Sequence, residues 1–184
     1  ACSQSGFENA AYVIIDGVGE RACTTYGVYS DKQVKPIAEQ RFPHSIGLLY
    51  AAFTQYCGFK VNSGEYKLMG LAPYGKPRFA PLIREEFVQM NDRGELRLQL
   101  KNFGFLDDLQ MINRRFEQVF NRKARRPEET PDQFFKDVAA SIQLVTEELM
   151  LQLLQFVQRE TGQSQLVLGG GVALNCVEIG RAHV

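Results

Sequence analysis

The residues best suited to chemistry are three consecutive glycines near the end of the chain, Gly169, Gly170 and Gly171. They follow a short apolar run and precede a predicted helix that begins near Val172. Glycines remove side chains where the backbone must approach a ligand, and the free N–H groups at a helix start attract anions. Asn175 falls in the first helical turn, where its amide can donate or accept. The pattern is typical of a phosphate-binding turn, although an ordinary tight turn also fits it.

A second glycine-rich turn follows the apolar run that ends at Ile15, and it contains Asp16, Gly17 and Gly19. Its backbone N–H groups could face phosphate oxygens, and the Asp16 carboxylate could act on a cation or an attacking water. The alternative is a type I′ hairpin turn, in which Asp and Gly only supply the backbone angles. Two such turns in one chain are typical of the paired phosphate loops of the actin-like ATPase fold.

Glu65 and Lys67 lie in an unusual segment, residues 63–75, that contains three glycines, two of which, Gly70 and Gly75, imply close backbone packing or the approach of a ligand. Two positions apart on a helix, their side chains point in nearly opposite directions and do not form an ion pair with each other. Each therefore needs another partner. Solvent is one interpretation; a nucleotide ribose for Glu65 and a phosphate or base for Lys67 is the other.

The periodicity of the chain predicts the elements that must position these residues. An antiparallel meander of three strands comes first, and a long amphipathic helix of ~28 residues, ended by Gly162, leads into the strand before the three glycines. The predicted strands are 11–15, 23–29, 35–42, 96–100 and 165–168; the predicted helices run from Ser45 to about Cys57, from Glu65 to about Leu71, from 109 to 120 and from about 131 to Gly162. Residues 91–128 read as an insertion or subdomain.

Composition narrows the function classes. The 184 residues are 45% hydrophobic, carry 21 basic and 21 acidic residues, and contain no ~20-residue apolar run. We therefore expect a soluble protein that binds neither nucleic acid nor a membrane. The basic run at 122–126 is predicted to be a solvated loop rather than a binding patch. Four cysteines without a pairing motif predict reduced thiols and a cytoplasmic location.

The last seven residues, 178–184, match the translation of a sequencing-library adaptor, so we predict a non-native tail there. Without that tail His44 is the only histidine, and no His-rich metal site can be built within the chain. We expect His44 to have a structural role, because no carboxylate or cysteine next to it forms an evident dyad. No catalytic residue is assigned.

Five motifs together resemble the carbamoyltransferase family of nodulation and antibiotic O-carbamoylation enzymes. Their order and spacing agree with that family over nearly all of residues 6–177. They are Asp-Gly-Val-Gly-Glu at 16–20, Phe-Pro-His-Ser-Ile-Gly at 42–47, Tyr-Lys-Leu-Met-Gly-Leu-Ala-Pro-Tyr-Gly at 66–75, Ala-Ala-Ser-Ile-Gln at 139–143 and Gly-Gly-Gly-Val-Ala-Leu-Asn at 169–175.

The resemblance implies an α/β fold of the actin-like ATPase (ASKHA, ribonuclease H-like) type, as a Kae1-like domain over residues 1–177 truncated at both ends. Family members use carbamoyl phosphate and ATP to make carbamoyl adenylate, and they transfer the carbamoyl group to a hydroxyl of a sugar or natural-product acceptor. The phosphate-facing loop would be Asp16, Gly17 and Gly19. The nucleotide contacts would be Gly169, Gly170, Gly171 and Asn175, with Glu65 and Lys67 as neighbours.

The family also uses a divalent metal, whose His-x-x-x-His motif and aspartate would fall outside this chain. We therefore predict that the parent protein is an enzyme and that this polypeptide alone is inactive. Two alternatives remain open: an ATP-dependent sugar or metabolite kinase of the same fold, and a non-catalytic nucleotide-binding module. Dependence of AMP release on carbamoyl phosphate separates the first from the carbamoyltransferase, and binding without turnover would indicate the second.

Overall fold

A computed structural model describes residues 2–19 and 22–174 and shows a mixed α/β protein. The predicted contact Asn175 and the predicted tail at 178–184 lie outside these residues. The chain divides into two compact units: the first holds the residues up to Gly47, Met90–Leu96 and those from Glu148 onward, and the second holds Leu48–Gln89 and Arg97–Glu147.

The strands and α-helices follow the chain in a simple order. The strands are β1 Ala10–Ile15, β2 Ala22–Ser30, β3 Gln33–Arg41, β4 Val88–Met90, β5 Leu96–Leu98 and β6 Leu166–Gly169; the helices are α1 Ile46–Tyr56, α2 Glu65–Leu71, α3 Ala80–Glu86, α4 Arg114–Val119 and α5 Gln133–Thr161. Short 3-10 turns occupy Cys2–Gln4, Ala72–Tyr74, Leu100–Asn102 and Val172–Leu174.

The first unit is built on a four-stranded sheet with the order β3-β2-β1-β6. The predicted meander is confirmed, because β1 pairs antiparallel with β2 and β2 with β3. On its other side β1 pairs in parallel with β6, placing Tyr12 opposite Val167. Strand β1 is therefore central, and its residues Ala10 to Val13 are buried. Parallel pairing brings the carboxyl ends of β1 and β6 to the same edge of the sheet.

The long predicted helix is confirmed as α5 Gln133–Thr161. Asp132 accepts a hydrogen bond from the Phe135 N–H at its start, and Gly162, with φ +65°, follows its end. Within the first unit, the last turns of α5 contact the sheet, where the ring of Phe156 meets that of Tyr26 edge to face at 5.8 Å.

The second unit has an aromatic core. Phe53 of α1, Phe87 and Phe116 of α4 are fully buried, with ring centroids 4.5–5.3 Å apart. The predicted helix over 109–120 starts later than expected, at Arg114. The reason is local: the side chain of Asn113 accepts hydrogen bonds from the backbone N–H groups of Arg115 and Phe116 and so fixes the start of the helix.

The basic run at 122–126 is only partly the solvated loop that the sequence predicts. Arg122, Lys123 and Arg126 are exposed, but Arg125 is 6% exposed and bonded to backbone carbonyl oxygens. Among the described cysteines, Cys2, Cys23 and Cys57 are free. Of the helices built from residues 2–19 and 22–174, none has the length and apolar character that crossing a bilayer requires.

Candidate functional site

The two predicted glycine-rich turns lie side by side in the first unit. One follows β1 and the other follows β6, and these strands are parallel neighbours. The turns are joined by a direct hydrogen bond, in which the N–H of Gly171 donates to Oδ1 of Asp16 over 2.7 Å. Residues 155 positions apart in sequence are thus brought together at one edge of the sheet. Ligands of α/β sheets bind at such carboxyl-terminal edges.

Two of the site glycines are required by the backbone itself. Gly170 has φ +93°, and a Cβ there would lie 2.2 Å from the carbonyl oxygen of Ile15. Gly19 has φ +63°, and a Cβ there would lie 2.2 Å from the carbonyl oxygen of Ala22. Only glycine fits at these two positions, because the backbone is left-handed and neighbouring main-chain atoms occupy the place of a Cβ. These two glycines therefore shape the turns, whatever the turns bind.

The other three site glycines have no such structural reason among the described residues. A Cβ on Gly17 would meet no atom within 4 Å, and Cβ atoms on Gly169 and Gly171 would make only ordinary contacts at 3.7 Å. None of the three has φ in the left-handed region. The type I′ alternative is wrong here, because that turn needs positive φ at Gly17 and the φ of Gly17 lies outside the left-handed region. The space that a side chain would occupy at these three glycines is therefore not filled by any described atom.

Ser45 and Gly47 support the first turn, a role that the sequence did not predict for them. The hydroxyl of Ser45 donates to the carbonyl oxygens of Asp16 and Gly17, at 3.1 and 2.6 Å. A Cβ on Gly47 would lie 2.6 Å from the Cα of Gly17. Through Ser45 and Gly47, the motif at 42–47 therefore supports the backbone of the turn that contains Asp16 and Gly17. Sequence reasoning identified Ser45 only as a helix cap, since nothing local indicates its partner 29 residues away.

Cys23 also lies against this turn, and its thiol donates to the carbonyl oxygen of Val18 over 3.4 Å. Burial raises the pKa of the Cys23 thiol; a hydrogen bond with Ser45 opposes this rise and the Asp16 carboxylate adds to it. The net effect is an upward shift, so the thiol stays protonated at neutral pH. Cys23 is buried and packs against the turn as a protonated thiol.

Glu65 and Lys67 lie on α2, in the second unit. The Glu65 carboxylate accepts hydrogen bonds from the backbone N–H groups of Asn62 and Gly64, at 2.8 and 3.0 Å. Lys67 is exposed, and its ammonium lies 5.9 Å from the ring centroid of Tyr66. Glu65 thus has a structural task at the start of α2 that the sequence did not indicate. A nucleotide-contacting role for either residue stays a prediction.

The end of the same motif is anchored to α5 by Asp137, whose side chain is 4% exposed. Asp137 accepts the Lys76 N–H at 2.9 Å and pairs with Arg78 at 2.6 Å. A Cβ on Gly75 would lie 1.9 Å from the Lys136 carbonyl oxygen, so only glycine allows this approach. The glycine of the motif is thereby explained by packing within the second unit.

We expect Asp137→Asn to lower stability at pH 7 by about 1–3 kcal/mol. Burial alone would raise the pKa of Asp137, but the Lys76 N–H, the Gln133 amide and Arg78 outweigh it, so the pKa lies below its ordinary value. This stabilisation is present above the unfolded-state pKa of about 3.9 and is lost as pH falls through the lower folded-state pKa.

Urea unfolding at a series of pH values measures this contribution. The difference between the parent chain and Asp137→Asn should narrow below about pH 4. Glu85→Gln, at an exposed carboxylate, is the matched control and should show little difference at any pH. A difference between parent and Asp137→Asn that stays constant down to the lowest pH would contradict the assignment.

Residues 2–19 and 22–174 contain no group of three or more His, Cys, Asp and Glu side chains that could hold a metal ion. Among the described residues of the paired turns Asp16 is the acidic one, and its Oδ1 accepts a hydrogen bond from the N–H of Gly171. Mg²⁺ usually keeps several waters and takes one or two protein carboxylates together with substrate phosphates, so one carboxylate could contribute to a metal site without forming it alone. The described residues therefore do not form a metal centre by themselves.

A family model and several known proteins are similar to this chain over nearly all of its length. A family model described as "Carbamoyltransferase N-terminus" matches residues 1–182. The chain is 49% identical over 177 residues to the uncharacterized protein sll1178 of Synechocystis, 36% identical over 181 residues to the nodulation protein NolNO of Sinorhizobium fredii, and 32% identical over 183 residues to the nodulation protein NolO of Bradyrhizobium diazoefficiens. These alignments cover 96–98% of the chain but only 25–31% of the relatives' own lengths.

Proposed function

The chain belongs to the carbamoyltransferase family, and on that premise we propose that it supplies nucleotide-binding loops to an O-carbamoyltransferase. The whole enzyme would use carbamoyl phosphate and ATP to form carbamoyl adenylate, and would transfer the carbamoyl group to a hydroxyl of a sugar or natural-product acceptor. The chain would form part of a Kae1-like domain of the actin-like ATPase fold. On its own, this chain would bind nucleotide without completing the reaction.

The observation that carries the proposal is the pairing of two glycine-rich turns at the carboxyl ends of adjacent parallel strands. Gly17 and Gly171 bring backbone without a side chain to this edge, and among the described residues neither packing nor φ explains why they are glycines. Backbone N–H groups in such turns bind phosphate oxygens, and they stabilise the charge that a transferring phosphoryl group develops. ATP is the ligand of this chemistry in the family that the chain belongs to.

The role proposed for Asp16 is to hold the two turns together and to place one negative charge beside the phosphates. The Gly171 N–H is used by its Oδ1, which leaves Oδ2 for a cation or a water. The metal implied by the family would take most of its ligands from outside this chain, and it would supply charge neutralisation for the phosphates. A single carboxylate from this chain is compatible with that arrangement.

Asp16→Asn and Asp16→Ala separate the two parts of this role. Asparagine retains an oxygen that can accept the Gly171 N–H, so we expect stability close to that of the parent chain. Alanine leaves that N–H without its acceptor and should cost about 1–3 kcal/mol. Thermal unfolding measures this difference in stability. Titration with ATP, with and without Mg²⁺, measures the charge role. In the parent chain Mg²⁺ should raise the affinity for ATP, and both variants should lose this gain. An unchanged gain in the asparagine variant would contradict the charge role.

The reaction itself is tested with the longer protein that contains this chain. AMP release that requires both carbamoyl phosphate and a hydroxyl acceptor is the expected result, while the 184-residue chain alone should bind ATP without releasing AMP. ATP consumption without carbamoyl phosphate would instead indicate a kinase, and stoichiometric binding without turnover in the longer protein a binding module. Carbamoyl adenylate formed by the 184-residue chain would refute the proposed inactivity.

A further inference from the structure

Arg125 is a buried cation that has only neutral partners in the second unit. It is 6% exposed, its Nε donates to the carbonyl oxygen of Cys57 over 2.6 Å, and its guanidinium lies 4.9 Å from the ring centroid of Phe59. Its Nη1 donates to three carbonyl oxygens of the loop that follows. These belong to Arg126, Pro127 and Glu129. Among the described residues, no carboxylate pairs with Arg125 and no acceptor meets its Nη2.

The carbonyl oxygens around Arg125 explain part of why a cation can be buried at this position. The carbonyl oxygen of Cys57 lies just beyond the end of α1, where the helix dipole favours a cation, and the three loop carbonyls fix the backbone after Arg125. They do not supply a counter-charge. A buried cation is costly unless it is paired, and the N–H groups of Nη2 still have hydrogen bonds to donate.

A cavity of about 900 Å³ that is broadly open to solvent supplies the space for a counter-ion. Arg125 lines it, together with three exposed cationic side chains from separate segments, Lys60, Arg114 and Lys123. Among the described residues of the lining the one acidic side chain is Glu117, which accepts the Ala124 N–H at 2.8 Å. Four cations against one carboxylate are a local excess in a chain with no net charge.

The uncharged part of the cavity wall is already hydrogen-bonded. Gln55 accepts the N–H groups of Met111 and Ile112, and Asn113 donates to two carbonyl oxygens while it caps α4. The donors left available to a ligand are therefore mainly the cationic ones. Guanidinium and ammonium groups around a cavity of this size match a small molecule that carries a phosphate group.

We propose that this basic cavity, formed by Lys60, Arg114, Lys123 and Arg125, binds a small phosphorylated molecule at a site separate from the two glycine-rich turns. The phosphate group accepts hydrogen bonds from Nη2 of Arg125 and balances its charge. The lysines give further charge neutralisation at the rim. The organic part of the ligand occupies the rest of the cavity, because 900 Å³ far exceeds the size of a phosphate ion.

The test is a titration of the ¹⁵N-labelled 184-residue chain with inorganic phosphate at constant ionic strength. The backbone amides of Gly58 and Ala124 report on the cavity, and the amide of Gly171 reports on the glycine-rich turns, so the two sites are observed separately. We expect saturable shifts at Gly58 and Ala124. Glucose 6-phosphate should bind more tightly than phosphate, and glucose should give no shift.

A pair of double variants locates the site. Lys60→Gln with Lys123→Gln should raise the dissociation constant of phosphate at Gly58 and Ala124 by about tenfold or more. Arg93→Gln with Arg97→Gln removes the same charge from exposed arginines outside the cavity and should change it by less than about twofold. Arg125→Lys retains the positive charge but loses the planar set of guanidinium N–H donors. It should therefore raise the dissociation constant of phosphate relative to the parent chain.

Four results would overturn the proposal. One is the absence of saturable shifts at Gly58 and Ala124, and another is an equal loss of affinity in both double variants. The third is the same weak response to sulfate as to phosphate, which would mark an adventitious ion only. Glucose 6-phosphate that binds no more tightly than phosphate would assign the cavity to the free ion and refute the phosphorylated ligand.

Discussion

Gly17→Ala is expected to weaken ATP binding at least about tenfold while thermal stability stays the same or rises slightly. A Cβ at Gly17 meets no described atom within 4 Å, and its φ lies outside the left-handed region, so the folded state can accept alanine. Alanine also restricts the unfolded chain, which adds up to about 0.4–1 kcal/mol of stability. A loss of affinity must then come from the ligand, whose phosphate would need the space of the new methyl group.

The matched control is Gly70→Ala on α2. Among the described residues its Cβ also meets no atom within 4 Å and its φ is also outside the left-handed region, so the same substitution is made at an equally open glycine of the second unit. We expect this variant to bind ATP like the parent chain. Isothermal titration with ATP, paired with thermal unfolding of each variant, gives both quantities.

Two results would count against the phosphate-binding turns. If Gly17→Ala bound ATP with parental affinity, the open space at this turn would not be where the phosphates lie. If it lost both affinity and stability, the glycine would be structural after all, in conflict with the free space around it. The lower affinity must therefore be accompanied by an unfolding midpoint that is unchanged or slightly higher.

Most secondary-structure elements could be predicted from the sequence because their signals are local. The periodic apolar residues of α5, with Asp132 at its start and Gly162 after its end, determine both bounds of that helix within a few residues. Alternation in β2 and β3 and the tight connection between them give the meander in the same way. The short elements α3 and β4 carry too few residues for a periodic signal, and the sequence analysis did not identify them.

The composition of the site could be predicted, but its geometry could not. Glycines after two apolar strands indicate two turns, yet the parallel pairing of β1 with β6 depends on contacts between residues about 155 positions apart. The Ser45 hydroxyl on the backbone of the Asp16 turn is equally non-local. Buried Arg125 was missed for a related reason. A run of basic residues normally indicates a solvated surface, and only tertiary packing shows that one member points inward.

Gly170→Ala is expected to have the largest effect on stability, a loss of about 3 kcal/mol or more. Alanine pays about 1–2 kcal/mol for the left-handed backbone at φ +93°, and its Cβ would lie 2.2 Å from the Ile15 carbonyl oxygen and 2.6 Å from the carbonyl carbon. Both contacts are with main chain of the central strand, which cannot move aside as a side chain can. The end of β6 must instead separate from β1.

Gly169→Ala, one residue earlier, is the matched control for this prediction. Among the described residues its Cβ would meet only a side-chain carbon of Ile14, at 3.7 Å, and its φ is not left-handed. We expect an unfolding midpoint close to the parental value, against a fall of about 6–12 °C for Gly170→Ala in a chain of this size. Equal midpoints for the two variants would show that β1 and β6 do not pair in the described register. Because the measurement needs no nucleotide, it tests the framework of the site independently of what the turns bind.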